Sequence, residues 1–370
     1  MVATKQWVAH VTLHFTVFLW GFTAIFGKLI SYGAVELVWH RMVITSVVYF
    51  LLPQTRQQIQ ELSVELVAIF LFIGAIITSH WLCFYGCIKI GNSASIALAC
   101  LGSVSFFSSI IEPCVLKIPF QIPDFACGCV VLIGVMFIYL SLPVEAASEA
   151  SEDYRLAVVL GVISSFFASL FTCLNKKFVD RASPLAISAI EMSAGALILT
   201  IICPILGGSA TRWYPSLNLN DLRWDGMRTG SFDLIWVLLL SVLCTNVPQY
   251  LSITVLKEIS AFTVNMACNM EPVYGLLLGA LVFHENKSLN NEFYIGAVII
   301  LGTVFGKGLV ENCDCVSCRP SPEKDTARDP RKKRVHNITY ERIATHDIGT
   351  EIEAEIDAMR AMGGLEEVDL

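Results

Sequence analysis

Residues 256–275, LKEISAFTVNMACNMEPVYG, repeat the pattern of residues 88–107, IKIGNSASIALACLGSVSFF, at a shift of 168 positions. A second, looser match sets 165–177 (SFFASLFTCLNKK) on 17–29 (VFLWGFTAIFGKL) at a shift of 148. Both repeats lie inside long apolar runs. Two related hydrophobic halves in one chain are the sequence signature of transporters built from internal repeats, whose sites lie at the repeat interface.

Composition points the same way. The mean hydropathy is +0.64, and 55% of residues are hydrophobic against 15% charged; soluble domains carry about 25% charged residues. Apolar windows of membrane-crossing length fall near 9–31, 34–53, 63–86, 93–116, 123–142, 156–178, 184–207, 232–254, 259–283 and 291–310. The fold expected is therefore an all-α polytopic membrane protein of ten transmembrane helices. Residues 1–142 form a first half of five helices, 143–155 an acidic linker, and 156–310 a second half of five. Five is odd, so the second half is expected to be inverted relative to the first. The first run is too long for the h-region of a cleavable signal peptide. Short loops holding Lys5, Arg56, Lys117, Lys176, Lys177, Arg181 and Lys257 favour cytoplasmic N- and C-termini. Which membrane is left open.

Residues 311–370 carry 14 acidic and 9 basic side chains, −5 of the net −7. This tail is expected to be mostly disordered, with one short helix at 349–361. Cys313, Cys315 and Cys318 follow the last apolar run. Lipidation is one reading and three unmodified thiols the other. The remaining cysteines are scattered through apolar runs, where a thiol packs as a small hydrophobe. No metal-ligand spacing, P-loop or hydrolase motif is evident, so neither a cofactor nor an enzyme is expected. The basic run Arg331–Arg334 is too short to argue for nucleic acid.

An ionisable side chain in mid-membrane costs about 2.5–3.5 kcal/mol, so it needs a cavity, a partner or a substrate. Arg41 and Glu191 occupy equivalent places at a shift of 150. Three readings stay open: a buried ion pair closing one side; Arg41 binding a carboxylate or phosphate with Glu191 as proton carrier or counter-charge; or Arg41 snorkelling to the interface. In 259–283, Asn265 and Asn269 are one turn apart, while Glu271 lies about 160° round a straight helix from Asn269. Asn265 and Asn269 are therefore read as cavity residues, with helix packing as the alternative, and Glu271 with Pro272 as kinking and packing. Glu112 and Pro113 are read as a similar kink. Trp20, deep in its run, is a candidate cavity wall, as is Asn246 beside Gln249 and Pro248. His80 is a candidate proton relay, with a packed histidine as the alternative.

The stretch Ile259–Gly302, with Ser260-Ala-Phe-Thr opening a span, Glu271-Pro272 within it, His284-Glu285 near its end and a glycine-punctuated last helix, resembles the drug/metabolite transporter superfamily, EamA type. Trp20-Gly-Phe, Lys28, Arg41, Asn92-Ser-Ala-Ser and Glu112-Pro113 extend the resemblance across Val11 to Gly308. It implies ten helices in two inverted halves and a secondary carrier, commonly an exporter, of amino acids or other small metabolites. An exchanged solute or a proton would supply the energy. The rival readings are a nucleotide-sugar or organic-phosphate antiporter, and a non-transporting scaffold that uses the tail. One departure matters: Ser103-Val104 stands where the second half has Glu271-Pro272. The halves are thus not expected to offer equivalent polar groups.

Overall fold

In a bilayer a backbone N–H or C=O finds no water, so an apolar chain satisfies its backbone internally as helices. The computed structural model describes residues 2–92, 94–140, 151–202, 232–283 and 291–317, and among them all regular structure is helical. The helices are α1 (Val2–Trp20), α2 (Thr23–Leu29), α3 (Ala34–Leu51), α4 (Pro53–Gln60), α5 (Val64–Ile90), α6 (Ala94–Leu101), α7 (Val104–Leu116) and α8 (Ile122–Leu140). They continue as α9 (Ser151–Phe178), α10 (Pro184–Ile202), α11 (Asp233–Ser241), α12 (Val247–Leu256), α13 (Ala261–Cys268), α14 (Met270–Phe283) and α15 (Asn291–Ser317).

Among the described residues, seven stretches are long and apolar enough to cross a membrane: Gln6–Leu29, Ala34–Leu51, Val64–Ile90, Ile96–Leu116, Arg155–Arg181, Pro184–Ile202 and Asp233–Leu256. Ile122–Phe137 and Tyr294–Lys307 are shorter apolar helices. Large apolar side chains stay exposed at helical spacing, as at Val8, Val11, Phe15 and Phe18 on α1 or Val130, Ile133 and Met136 on α8. Apolar faces of this extent are not stable in water. The protein is an integral, multi-pass membrane protein.

Residues 1–310 form one compact unit and 311–370 a second. Of the second, residues 311–317 are described and helical. The helix predicted at 349–361 and Cys318 lie outside the described residues, as do most of the acidic linker and the long loop at 208–231.

Helix starts follow local chemistry. Ser63 Oγ accepts from the Leu66 N–H at 3.3 Å, and Ser260 Oγ from the Thr263 N–H at 3.1 Å, each satisfying a donor with no intrahelical partner. Four apolar segments are interrupted in mid-course: at Gly21–Phe22, at Gly102–Ser103, by a π-turn over Val242–Asn246, and at Asn269. The repeat register aligns the break at 102–103 with that at Asn269 to within a residue. A β-carbon on Gly21 would lie 2.8 Å from Tyr274 Cβ, and one on Gly275 3.2 Å from the Gly21 carbonyl oxygen. The bare glycine backbones therefore let α1 and α14 cross at the first break.

Two lysines in register show the repeat directly. Lys89 Nζ donates to the Ile30 carbonyl at 2.5 Å, and Lys257 Nζ to the Ala182 carbonyl at 3.3 Å. Each ties the end of one helix to the chain following another helix of its own half.

Candidate functional site

The breaks leave a partly open cavity, with about 680 Å³ of atom-free space when its open mouth is counted. Its wall takes residues from both halves. Trp20 and Thr23 flank the first break, Arg41 comes from α3, and Ile77, His80, Trp81 and Phe84 come from α5. From the second half come Phe171 and Thr172 on α9, Gln249 and Ser252 on α12, Asn265 and Cys268 on α13, and Glu271 on α14.

Arg41 is 2% exposed. Its Nε donates to Thr245 Oγ1 at 2.6 Å, Nη1 to Tyr85 Oη at 3.0 Å and Nη2 to the Cys244 carbonyl at 3.3 Å. The guanidinium carbon lies 3.6 Å from the Trp81 ring centroid, a cation–π contact strengthened by desolvation. The Cys244 carbonyl is available because residue 248, four positions on, is proline and has no N–H. Arg41, Thr45 and Tyr49, at i, i+4 and i+8, together fasten α3 to the π-turn: Thr45 Oγ1 donates to the Ser241 carbonyl at 3.3 Å and Tyr49 Oη to that of Asn246 at 2.7 Å. Three of the five guanidinium donors are thus engaged by protein, and the cation is fixed in the wall.

Glu271 is the acid of the cavity. Thr23 Oγ1 donates to its Oε1 at 3.2 Å. Arg41 and Glu271 line the same space without forming an ion pair with each other. Asn265 Nδ2 donates to Ser108 Oγ at 2.6 Å, and Ser108 meets Ser169 Oγ at 2.8 Å, so that asparagine is anchored to α7 and α9. His80 Nδ1 lies 2.9 Å from both the carbonyl and the hydroxyl oxygen of Ser164.

Several expectations are corrected here. Arg41 and Glu191 do not pair: Arg41 faces the cavity, and Glu191 is sealed at 0% exposure behind Gln249, whose Nε2 donates to Glu191 Oε2 at 2.9 Å. Asn269 does not reach the cavity and Glu271 does: Val264, Cys268 and Glu271, at i, i+4 and i+7, form the stripe that faces it, and Asn269 lies off that stripe. At the break the Asn269 N–H takes a tight bond to the Met266 carbonyl at 3.1 Å, and its buried amide atoms are unpartnered. Asn246 is also absent from the wall. It sits in the π-turn and donates to the Thr45 carbonyl at 3.0 Å. Glu112 lies elsewhere: its two oxygens accept the Ala261 and Phe262 N–H groups at 2.9 and 2.8 Å, capping the positive end of α13. Pro113 lies within α7 and Pro272 in the first turn of α14.

Trp81, Phe84, Phe171, Thr23 and Thr245 were not singled out from sequence. The signal for the α5 face was present, since Ile77, His80, Trp81 and Phe84 stand at i, i+3, i+4 and i+7. At the end of the bundle holding the Ile30–Gly33 turn, Asp233 Oδ1 accepts the Ser31 N–H at 3.0 Å, and Oδ2 also accepts from the Ser31 hydroxyl. Burial, with the nearby Asp233 charge, pushes the Tyr32 hydroxyl up to about 12.

The profile of the EamA-like transporter family matches residues 8–140 and 155–306, one match per half. No curated protein matches the chain. A crystal structure of another protein superposes with a TM-score of 0.60 over 81% of this chain and 96% of that one. The identity is 12%, so the likeness is one of fold.

Proposed function

The chain belongs to the EamA-like transporter family, and from that premise we propose that it is a secondary carrier for a small zwitterionic metabolite, an amino acid with an apolar or aromatic side chain. The observation that carries this reading is that Arg41 and Glu271, a cationic and an acidic group, line one cavity with no direct ion pair between them. A dipolar solute fits between them: its carboxylate meets the two guanidinium donors that the protein leaves over, and its ammonium meets Glu271. Trp20, Trp81, Phe84 and Phe171 supply an apolar wall for the side chain. Among the described lining residues Arg41 is the one Lys or Arg, whereas a nucleotide sugar would need several cations for its phosphates. Ten spanning segments in two inverted halves, rocking about the cavity, would give alternating access. Cytoplasmic termini and net export complete the reading.

The test is counterflow into proteoliposomes with amino acids, organic acids and nucleotide sugars as separate cargoes. Exchange of zwitterionic amino acids that is lost in Arg41→Ala is the expected result. Exchange of nucleotide sugars instead, or amino-acid exchange untouched by Arg41→Ala, would sink the assignment.

A further inference from the structure

Behind the cavity wall lies a second polar cluster that the substrate reading does not use. Glu191, Ser188, Asn175 and Gln249 come together there from α10, α9 and α12. Glu191 and Ser188 are 0% exposed and Asn175 1%. Glu191 Oε2 is held by Gln249 and Asn175 lies within reach of the carboxyl group, while Glu191 Oε1 has no close partner; Ser188 lies beside the Tyr49 hydroxyl. Buried polar atoms are nearly always satisfied, so a sealed carboxyl group with one oxygen unpartnered marks a site for something more.

The surroundings specify what it is. α3 contributes Tyr49, the titratable side chain set against Glu191, and its hydroxyl is committed to the Asn246 carbonyl. α5 contributes Gly74, whose missing β-carbon lets the helix press on the Glu191 backbone. α9 contributes Asn175 and α12 Gln249, neither of which titrates. Among the described residues, no Lys, Arg or His pairs with Glu191. A carboxylate buried without a cation is strongly disfavoured, whereas the neutral acid is not. The protonated acid also gains a donor that can serve the Asn175 amide oxygen.

We propose that Glu191 is the proton-binding site that couples this carrier to a proton gradient, with Gln249 as the link to the substrate cavity. The proposal rests on the carrier reading above. Gln249 lines the cavity with one face and holds Glu191 with its amide, so a solute that repositions Gln249 loosens the acid. In the described state Glu191 keeps its proton because no water reaches it. When the halves rock and water reaches the cluster, the proton leaves to that side, one per cycle.

The test uses the full-length protein in proteoliposomes, as wild type and Glu191→Gln, with three measurements. Counterflow of the exchanged amino acid at equal pH reports the carrier itself. Accumulation driven by a pH gradient, with pyranine inside the vesicles, reports coupling. Infrared spectra in heavy water at neutral pH report the protonated carboxyl band. Expected are counterflow in both proteins, accumulation and proton movement in wild type alone, and loss of one carboxyl band in Glu191→Gln. Undiminished accumulation by Glu191→Gln would overturn the proposal, as would wild-type accumulation that follows a sodium gradient and ignores pH. Absence of wild-type counterflow would remove the carrier reading instead. In that case the carboxyl band still decides: identical bands in the two proteins would overturn the protonated site.

Discussion

In the first half, the helix break at Gly102–Ser103 brings Leu101 and Val104 to the cavity; in the second, the aligned break at Asn269 brings Asn265, Cys268 and Glu271. α3 and α10 differ in the same manner. Arg41 projects into the cavity, while Glu191, its counterpart by repeat register, is sealed behind Gln249. The backbone thus keeps the repeat while the chemistry departs from it. A carrier of the proposed kind would gain from that division, since a dipolar solute needs unlike groups in one cavity.

The comparison can be broken most severely at Arg41. Arg41→Ala is expected to lower amino-acid counterflow by about 100-fold or more, since charged hydrogen bonds are worth about 1.5–3 kcal/mol each. Arg41→Lys should not rescue it, because a lysine cannot reproduce the planar fork seated on Trp81, Tyr85 and the π-turn. Initial counterflow rates on protein that elutes as a single folded species check both.

A smaller effect sharpens the contrast between the acid in the cavity and the acid outside it. Glu271→Gln is expected to weaken amino-acid exchange about tenfold, or about 1.4 kcal/mol. It should do so while raising the preference for the carboxylic acid that lacks the ammonium group. Competition of each compound against the labelled amino acid measures the ratio. An unchanged ratio would place the ammonium elsewhere.

The glycines separate crossing points from plain helix positions. Gly21→Val, beside Tyr274 Cβ, should cost about 1–3 kcal/mol through overpacking and lower the melting temperature. At Gly306 an added β-carbon meets nothing within 4 Å, and Gly306→Ala should leave stability unchanged or raise it by up to about 1 kcal/mol. Thermal unfolding followed by tryptophan fluorescence distinguishes them. The smallest effect concerns the two repeat lysines. Lys89→Met removes a part-buried 2.5 Å bond and should lower the melting temperature by a few degrees at about 1 kcal/mol. Lys257→Met removes an exposed 3.3 Å contact and should be silent in the same assay.

Much of this was legible before any coordinates. The period and length of the apolar runs announce membrane helices, and the 168-residue repeat announces two halves, because both follow from local hydrophobicity. The cost of burying charge singled out Arg41, Glu191 and Glu271 as informative residues. Their surroundings were not legible. Placing Glu271 away from the cavity assumed that Asn265 and Asn269 mark the facing stripe, whereas Val264, Cys268 and Glu271 form it. Pairing Arg41 with Glu191 assumed that symmetric positions meet, yet Thr245, Tyr85 and a carbonyl freed by Pro248 satisfy the arginine first. Glu112 resembled another kink, and only its long-range contact with the Ala261 and Phe262 N–H groups shows a helix cap.

Hydropathy and internal repetition alone mark this chain as a two-repeat, membrane-embedded helical protein and single out the few ionisable groups within its apolar runs. Hydrophobic burial and backbone satisfaction act residue by residue and leave their mark in the order of the letters. The tertiary structure decided which of those groups share the cavity and which is sealed from it. That choice depends on where helices break and on which hydrogen-bond partner lies nearest in space, and contacts between residues 149 to 248 positions apart are not written into any local pattern.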